Sequence, residues 1–558
     1  MKSENKPRIL VCSESTKISS GFGVYNKFLL EGLYKTNRYE IAEFASYGVI
    51  GDKEKYNIPW RYYPNAVDPS DSRQKILASS VENHFGKWRF DRVILDYRPD
   101  IVIDVRDYWM NSYQLKSPLR KYFHWILMPT IDSYPQQEEW LDTYRNADAI
   151  FTYSDWGRDV LLDQTSGNIK YIDTASPCAD FGVFHQRSNE EIQKIKKSLG
   201  LPINSVIIGT VMRNQKRKLF PELIQTFEKV LDKLHSIDSP NKDCTFLYLH
   251  TSYPDAGWDI PNLIKNSAVG NKIFFTYACK ACGCINSRRF SGSSRVCDQC
   301  HQKTSILPNV SNGIETSNLA KIMSCFDLYI QYSICEGFGM PQIEAGACGV
   351  PILTMNYSAM TDIINKLQAS AIKIGTFFKE LETTAIRTYP DHDDCVDKIL
   401  QHITTPKQFR LRKGYQTSTL VKENYNWEET INKWINYIDT IDVSVYRELW
   451  NCYSANIVPM IDINALPTTN NIYELIYLLN RNYLNKIGLD ISDYWVLKQI
   501  QLASDGFYIS NGETKKFSIK DLIDNINTMI DNNNKAEMAR VDPSVLKPED
   551  YINYAKQQ

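Results

Sequence analysis

Apolar runs of strand length alternate with amphipathic segments of helix length in two successive blocks of this chain. No other feature restricts the fold as much, because such alternation builds βαβ units whose crossovers impose a parallel sheet covered on both faces. In the first block, residues 8–13 read as a strand, followed by a loop holding Gly21-Phe22-Gly23 and an amphipathic helix through Tyr25, Phe28, Leu29 and Leu33. Further strands are predicted at 101–105, 123–128 and 149–153. Residues 125–132 end in Pro-Thr-Ile-Asp, which sets Asp132 just past the carboxyl end of a strand, where open α/β sheets take their ligands. The second block opens with a strand at 205–212 and runs to about Ile374. It follows a polar stretch, 185–197, that would connect two domains. At 558 residues the chain exceeds what one core serves, and its 43% apolar content is ample for several cores.

The most specific stretch lies in the second block, Cys335-Glu336-Gly337-Phe338-Gly339-Met340-Pro341-Gln342-Ile343-Glu344. The apolar run 328–332 before it reads as a strand, and Pro341 sits where a helix would start, its φ already helical. Glu336 then lies on the loop and Glu344 about one helical turn in. The amides of Phe338, Gly339 and Met340 would point outward at the helix N-terminus, which favours phosphate or sugar oxygens. A second feature follows the first strand of the same block: Gly209-Thr210-Val211-Met212-Arg213-Asn214-Gln215-Lys216-Arg217-Lys218 ends in a cationic loop.

Together these segments resemble retaining glycosyltransferases of the GT-B fold, the family 4 type, over about residues 7–441. The resemblance implies an α/β architecture of two Rossmann-like domains facing a cleft, with 1–184 as the acceptor domain and 185–441 as the nucleotide-sugar domain. The helix-patterned region 409–441, with Trp427-Glu428, is similar to the late helices that cross back onto the first domain in that family. It further implies a nucleoside diphosphate sugar as donor and no catalytic metal. Arg213 and Lys218 would hold the diphosphate and stabilise the leaving group, Glu336 would meet the sugar hydroxyls, and Glu344 the ribose. Gly21 and Gly23 would let backbone approach the same phosphates from the first domain. Residues 177–184 are similar to a family Pro-Gly-Val-Asp-x-x-x-Phe segment, with Cys178 where glycine is usual. Asp132 is the candidate on the acceptor side, with His124 its rival, although the apolar run around His124 favours a buried strand position.

The cysteines Cys279-x2-Cys282 and Cys297-x2-Cys300 have the spacing of a zinc ribbon over 277–304. Four thiolates leave no open position, so the expected zinc is structural. Cys284 and His301 are spare ligands. The insert is cationic (Lys280, Arg288, Arg289, Arg295 and Lys303 against Asp298), which makes a nucleic-acid acceptor, such as a hydroxylated base in DNA, one expectation beside a glycan, lipid-linked or protein acceptor.

A formal net charge of -1 excludes a uniformly basic surface, and thirteen mostly scattered cysteines do not form a secreted disulfide framework. The N-terminal apolar run is too short for a signal peptide, and no stretch approaches the ~20 apolar residues needed to cross a bilayer. A cytoplasmic protein is expected. Residues 442–558 fall outside the resemblance and read as a mostly helical accessory region. Two other readings share these residues: a GT-B epimerase or phosphorylase, and a nucleotide-sugar-binding module without turnover.

Overall fold

The computed structural model describes residues 6–68, 70, 77–309, 312–451, 458–462, 466, 472–487, 507–510, 513–516 and 518–541. Strands β1 (Arg8–Glu14), β2 (Glu40–Ser46), β3 (Arg61–Pro64), β4 (Ile101–Asp104), β5 (His124–Leu127), β6 (Ala149–Thr152) and β7 (Ile172–Thr174) form one sheet in the order β3-β2-β1-β4-β5-β6-β7. All neighbouring strands are parallel. Ile9, Leu10, Val11 and Cys12 are fully buried, as are Ile101, Val102 and Ile103, because helices cover both faces and alternation is lost in the centre of the sheet.

The second sheet contains β8 (Val206–Val211), β9 (Thr245–His250), β10 (Ile273–Cys279), β11 (Ile285–Arg289), β12 (Ser294–Arg295), β13 (Ser305–Ile306), β14 (Leu328–Gln331), β15 (Ile352–Met355) and β16 (Ser370–Ile372). Its order is β12-β13-β10-β9-β8-β14-β15-β16, with β11 paired to β10. The section from β10 to β16 is parallel, whereas β11, β12 and β13 pair antiparallel and belong to the cysteine insert. Chain order reverses between β1 and β4 in the first sheet and between β8 and β14 in the second. Loops that leave adjacent strands in opposite directions open a crevice at each point. The two parallel sheets and their layering are the GT-B architecture.

Two expectations on the connections change. The Gly21-Phe22-Gly23 segment is not a loop: it opens the helix Gly21–Lys35, whose N-cap Ser20 accepts from the Gly23 amide at 3.0 Å. Gly23 is needed for space, since a Cβ there would meet the Ser15 carbonyl at 3.0 Å and the Ile18 carbonyl closer still. The charged stretch 185–197 is largely the helix Asn189–Leu199, fixed by a capping box between Ser188 and Glu191 and ended by Gly200 in the left-handed region.

The late helix Trp427–Ile438 packs on the helix Gly21–Lys35. Trp427 stacks on Phe28 at 4.4 Å, and Trp434 stacks on Phe151 at 4.0 Å and donates to the Tyr25 hydroxyl at 2.8 Å. An antiparallel hairpin, β17 (Ile374–Lys379) and β18 (Ile386–Pro390), follows the second sheet.

Residues Ala66–Asp100 and Ser117–Tyr122, which the sequence places in the first domain, form one compact unit with Val443–Gln558. Helix Phe90–Tyr97 packs there against the long helix Ile519–Val541, and Arg447 pairs with Asp100 at 3.0 Å. The described core of this unit centres on Leu475, Ile476, Leu479, Leu522, Ile523, Ile526 and Ile530. Asn527 and Asn534 each bond both backbone groups of an extended residue, Ile461 and Val458 respectively, which gives the asparagine-rich sequence a structural use.

Candidate active site

The loops leaving β8 and β14 close on one another at the second reversal point. An antiparallel bridge joins Lys218 to Ser333, the Leu219 amide donates to the Tyr332 carbonyl at 3.1 Å, and the Ile334 amide to the Arg217 carbonyl at 3.0 Å. This zipper brings Lys218 and Glu336 into a buried ion pair. Glu336, 4% exposed, also accepts from Gln331 Nε2 at 2.6 Å, Ser333 Oγ at 2.9 Å and Arg217 Nη1 at 2.9 Å. Burying charge is costly unless each group is matched, and here one carboxylate faces four donors. Burial, with Arg217 nearby, pulls the Lys218 ammonium well below the usual lysine range, against the opposing pull of Cys335 and Asp132.

Past Glu336 the chain turns through Gly339, whose φ of 86 is one that a glycine adopts without strain, into the helix Met340–Ala347. The amides of Phe338, Gly339 and Met340 donate to no group among the described residues. They form a small patch of outward N–H groups at a helix N-terminus. Glu344 has no hydrogen-bond or ion-pair partner among the described residues, and burial pushes its carboxyl up to about 7. Phe338 is buried against Tyr425, with ring centroids 5.5 Å apart.

Arg213 is half exposed at the other lip of the β8 loop and is held in a fork by Asp255, with both bonds at 2.9 Å. Across from it in the first lobe, Glu14 at the end of β1 lies within electrostatic reach of Arg213, and Ser20 donates to that carboxyl. Gly21 and Gly23 lie in the first turn of the helix that Ser20 caps. Gly337 lies against Thr130 of the first lobe so closely that a Cβ would overlap the threonine methyl.

Asp132 lies in the loop five residues past the end of β5. Arg387 of β18 donates to it at 2.9 Å, and Cys335 Sγ at 3.4 Å. Burial would raise its pKa, but Arg387 and Arg217 hold it below the usual carboxylate range. His124 stands at the opposite end of β5, with Nε2 3.0 Å from the Tyr437 hydroxyl, and is half-buried. Sequence reasoning missed Asp107, which follows β4 at the first reversal point. Its Oδ1 is buried without a hydrogen-bond partner among the described residues, and burial lifts the carboxyl to about 6 against the opposing pull of Thr130 beside it. Asp107 stands two residues past the strand predicted at 101–105, a strand-end position like the one expected for Asp132. Arg217, Gln331, Ser333 and Arg387 were also missed: Gln331 and Ser333 reach Glu336 from the end of β14 just before it, whereas Arg217 and Arg387 are brought in from distant segments.

In the insert, the ligand atoms of Cys279, Cys282, Cys297 and Cys300 all lie within 4.8 Å of one another and could hold a metal ion. Cys279 and Cys300 sulfurs are 3.6 Å apart and Cys282 and Cys297 3.7 Å. A tetrahedral ion with Zn–S bonds of about 2.3 Å needs sulfurs about 3.8 Å apart, so the donor set fits. Cys284, whose Sγ accepts from Asn286 at 3.2 Å, and His301 lie outside the group. Arg288 and Arg295 both pair with Asp298, at 2.8 and 2.9 Å, and Arg289 lies over the Phe274 ring at 3.7 Å.

No helix among the described residues is long and apolar enough to cross a membrane. Residues 302–404 match the family described as Glycosyl transferases group 1. No curated protein sequence matches the chain. Among solved structures, the chain is similar to sucrose-phosphate synthase from Thermosynechococcus elongatus (16% identity, 80% of this chain and 100% of that one, TM-score 0.53). It is also similar to Anabaena HepE in complex with UDP and glucose (13%, 78% and 100%, 0.53) and to a glycosyltransferase from Rickettsia africae (15%, 81% and 100%, 0.52). The group 1 segment spans the Glu336 motif, and the two parallel sheets share the GT-B fold of these structures.

Proposed function

We propose that the protein transfers a sugar, with retention of configuration and in the manner of family 4, from a nucleoside diphosphate donor to an acceptor hydroxyl. The observation that carries this reading is the convergence at one reversal point of Lys218, Glu336 and the unbonded amides of Phe338, Gly339 and Met340. Negative charge grows on the diphosphate as the glycosidic bond breaks, so fixed cations and N–H dipoles placed there lower the barrier. Lys218 and Arg213 take that role from the second lobe, with the helix start at Gly21 and Gly23 facing the same group from the first. Glu336 receives sugar hydroxyls when the donor draws Lys218 away, and Glu344 receives the ribose. Asp132, kept ionised by Arg387, orients the acceptor. Asp107, beside Thr130, is the second acceptor-side carboxyl. Zinc in the ribbon braces the edge of the second sheet.

HepE, solved with UDP and glucose, makes UDP-glucose the first donor to try. Incubating the purified protein with a panel of nucleotide sugars and reading released nucleoside diphosphate tests the proposal. Release from none of them would favour the binding-module reading, and pyridoxal absorbance would favour a phosphorylase. A hydroxylated base in DNA as acceptor draws little support from the ribbon, whose Arg288 and Arg295 are engaged by Asp298.

A further inference from the structure

The acceptor side of the crevice has a charge pattern that selects among hydroxyl compounds. Two connections of the first sheet border the Glu336 loop, residues 105–111 after β4 and 128–137 after β5. Between them they carry two carboxylates, Asp107 and Asp132, and one cation, Arg106. Arg106 is fully buried and paired with Asp104, so it faces no ligand. Three cations reach this region from the second lobe. Arg217 and Lys218 share Glu336, and Arg387 is shared between Asp132 and Glu380, each of the latter at 2.9 Å. Each of these cations is thus already engaged by a carboxylate. Asp107, by contrast, keeps a buried oxygen without a donor among the described residues. The connection after β5 also exposes an aromatic ring, Tyr134 at 42%.

We infer that the acceptor is an uncharged polyhydroxylated molecule, a neutral saccharide in type, and not a sugar phosphate or a polyanion. The inference rests on the glycosyl-transfer reading above. Ionised carboxylates are pure acceptors and suit hydroxyl donors. Aromatic rings cover the apolar C–H face of a pyranose and bury it. A phosphate brought to the same place would meet Asp107 and Asp132 with no uncommitted cation among the described residues, which is discrimination by repulsion.

The test uses the full-length protein with UDP-glucose, or whichever donor of the panel it hydrolyses, and measures UDP release with and without added acceptor. The arms are neutral mono- and disaccharides, their 6-phosphates, and a hydroxymethylated DNA duplex. Product mass confirms transfer. Neutral saccharides are expected to accelerate release, with kcat/KM at least about tenfold above that of their phosphates. In Asp107→Asn that ratio should shrink several-fold, whatever happens to the overall rate, because the repulsion is reduced. Preference for a phosphate or for DNA, an unchanged ratio in Asp107→Asn, or donor hydrolysis with transfer to no neutral saccharide would each overturn the inference. Failure to hydrolyse any donor would instead overturn the proposed function.

Discussion

Arg387 donates to Asp132 at 2.9 Å across 255 positions of sequence, joining the hairpin of the second lobe to the loop after β5. The Ile386 amide reinforces the contact by donating to the Tyr134 carbonyl at 2.8 Å, and Arg387 also donates to Cys335 Sγ at 3.1 Å, one residue before Glu336. One guanidinium therefore touches the acceptor loop and the donor motif together. Arg387→Ala is expected to cost about 2 kcal/mol, less than a fully buried pair would, because the Asp132 side chain is 26% exposed. Urea unfolding monitored by circular dichroism measures this. Unchanged stability would mean the pair is made and broken freely.

Removing either member of the Lys218 and Glu336 pair should act on turnover. Lys218→Ala and Glu336→Gln are each expected to lower kcat by at least ~100-fold with the far-ultraviolet spectrum unaltered, since both groups act on charge that develops in the transition state. Near-normal kcat in both variants would remove them from the active site.

The local placement of Glu336 was legible because a strand, a glycine-rich turn and a helix-starting Pro341 follow one another without interruption, and that of Lys218 because a cationic loop follows the strand that opens the second block. The strands around them were legible for the same local reason. What local pattern does not carry is pairing between distant loops. Arg217 reads as one more cation in a basic run until the β8 and β14 loops zip together, and the hairpin bearing Arg387 shows no marker of its destination. The helix start at Gly21 was present in the sequence as Ser20, a good N-cap, but two glycines drew attention to a loop. The grouping of 66–100 with the C-terminal region rests on contacts such as those of Phe90–Tyr97 with Ile519–Val541, which no motif announces.

Donor binding should depend on pH through Glu344. Its carboxyl is pushed up to about 7 by burial, so it is neutral below that pH and ionised above. If the ionised form accepts the ribose hydroxyls, KM for the donor falls as pH rises through about 7, and Glu344→Gln flattens the profile. Stability runs the other way. From the ordinary glutamate range up to about 7 the folded state holds a proton that the unfolded state has released, so this group makes the fold less stable as pH rises across that window. The same substitution should remove that slope from denaturation midpoints, which separates its effect from that of Glu43, also pushed up to about 7 by burial.

Elemental analysis is expected to find one zinc per chain, lost in Cys282→Ser with Cys297→Ser. Brief chelation should leave turnover intact, because no step uses the ion. Prolonged chelation should expose 277–304 to protease, since the fold energy of so small an insert is largely metal-binding energy. A metal-free protein with a protease-resistant insert would contradict the ribbon.

The closeness of Gly337 to Thr130 gives the last expectation. A Cβ at 337 would overlap the Thr130 methyl, while the Thr130 hydroxyl is turned to Asp107. Gly337→Ala must therefore push the donor loop away from the first lobe, and a displacement near 1 Å at a reacting centre is enough to lower kcat/KM by about 100-fold. Thr130→Ser deletes the obstructing methyl and keeps the hydroxyl. Combined with Gly337→Ala it should recover most of the lost activity, although each change alone is neutral or harmful. Kinetics on the two single variants and the double variant decide it, because additive losses would show that the two residues do not meet in the working enzyme.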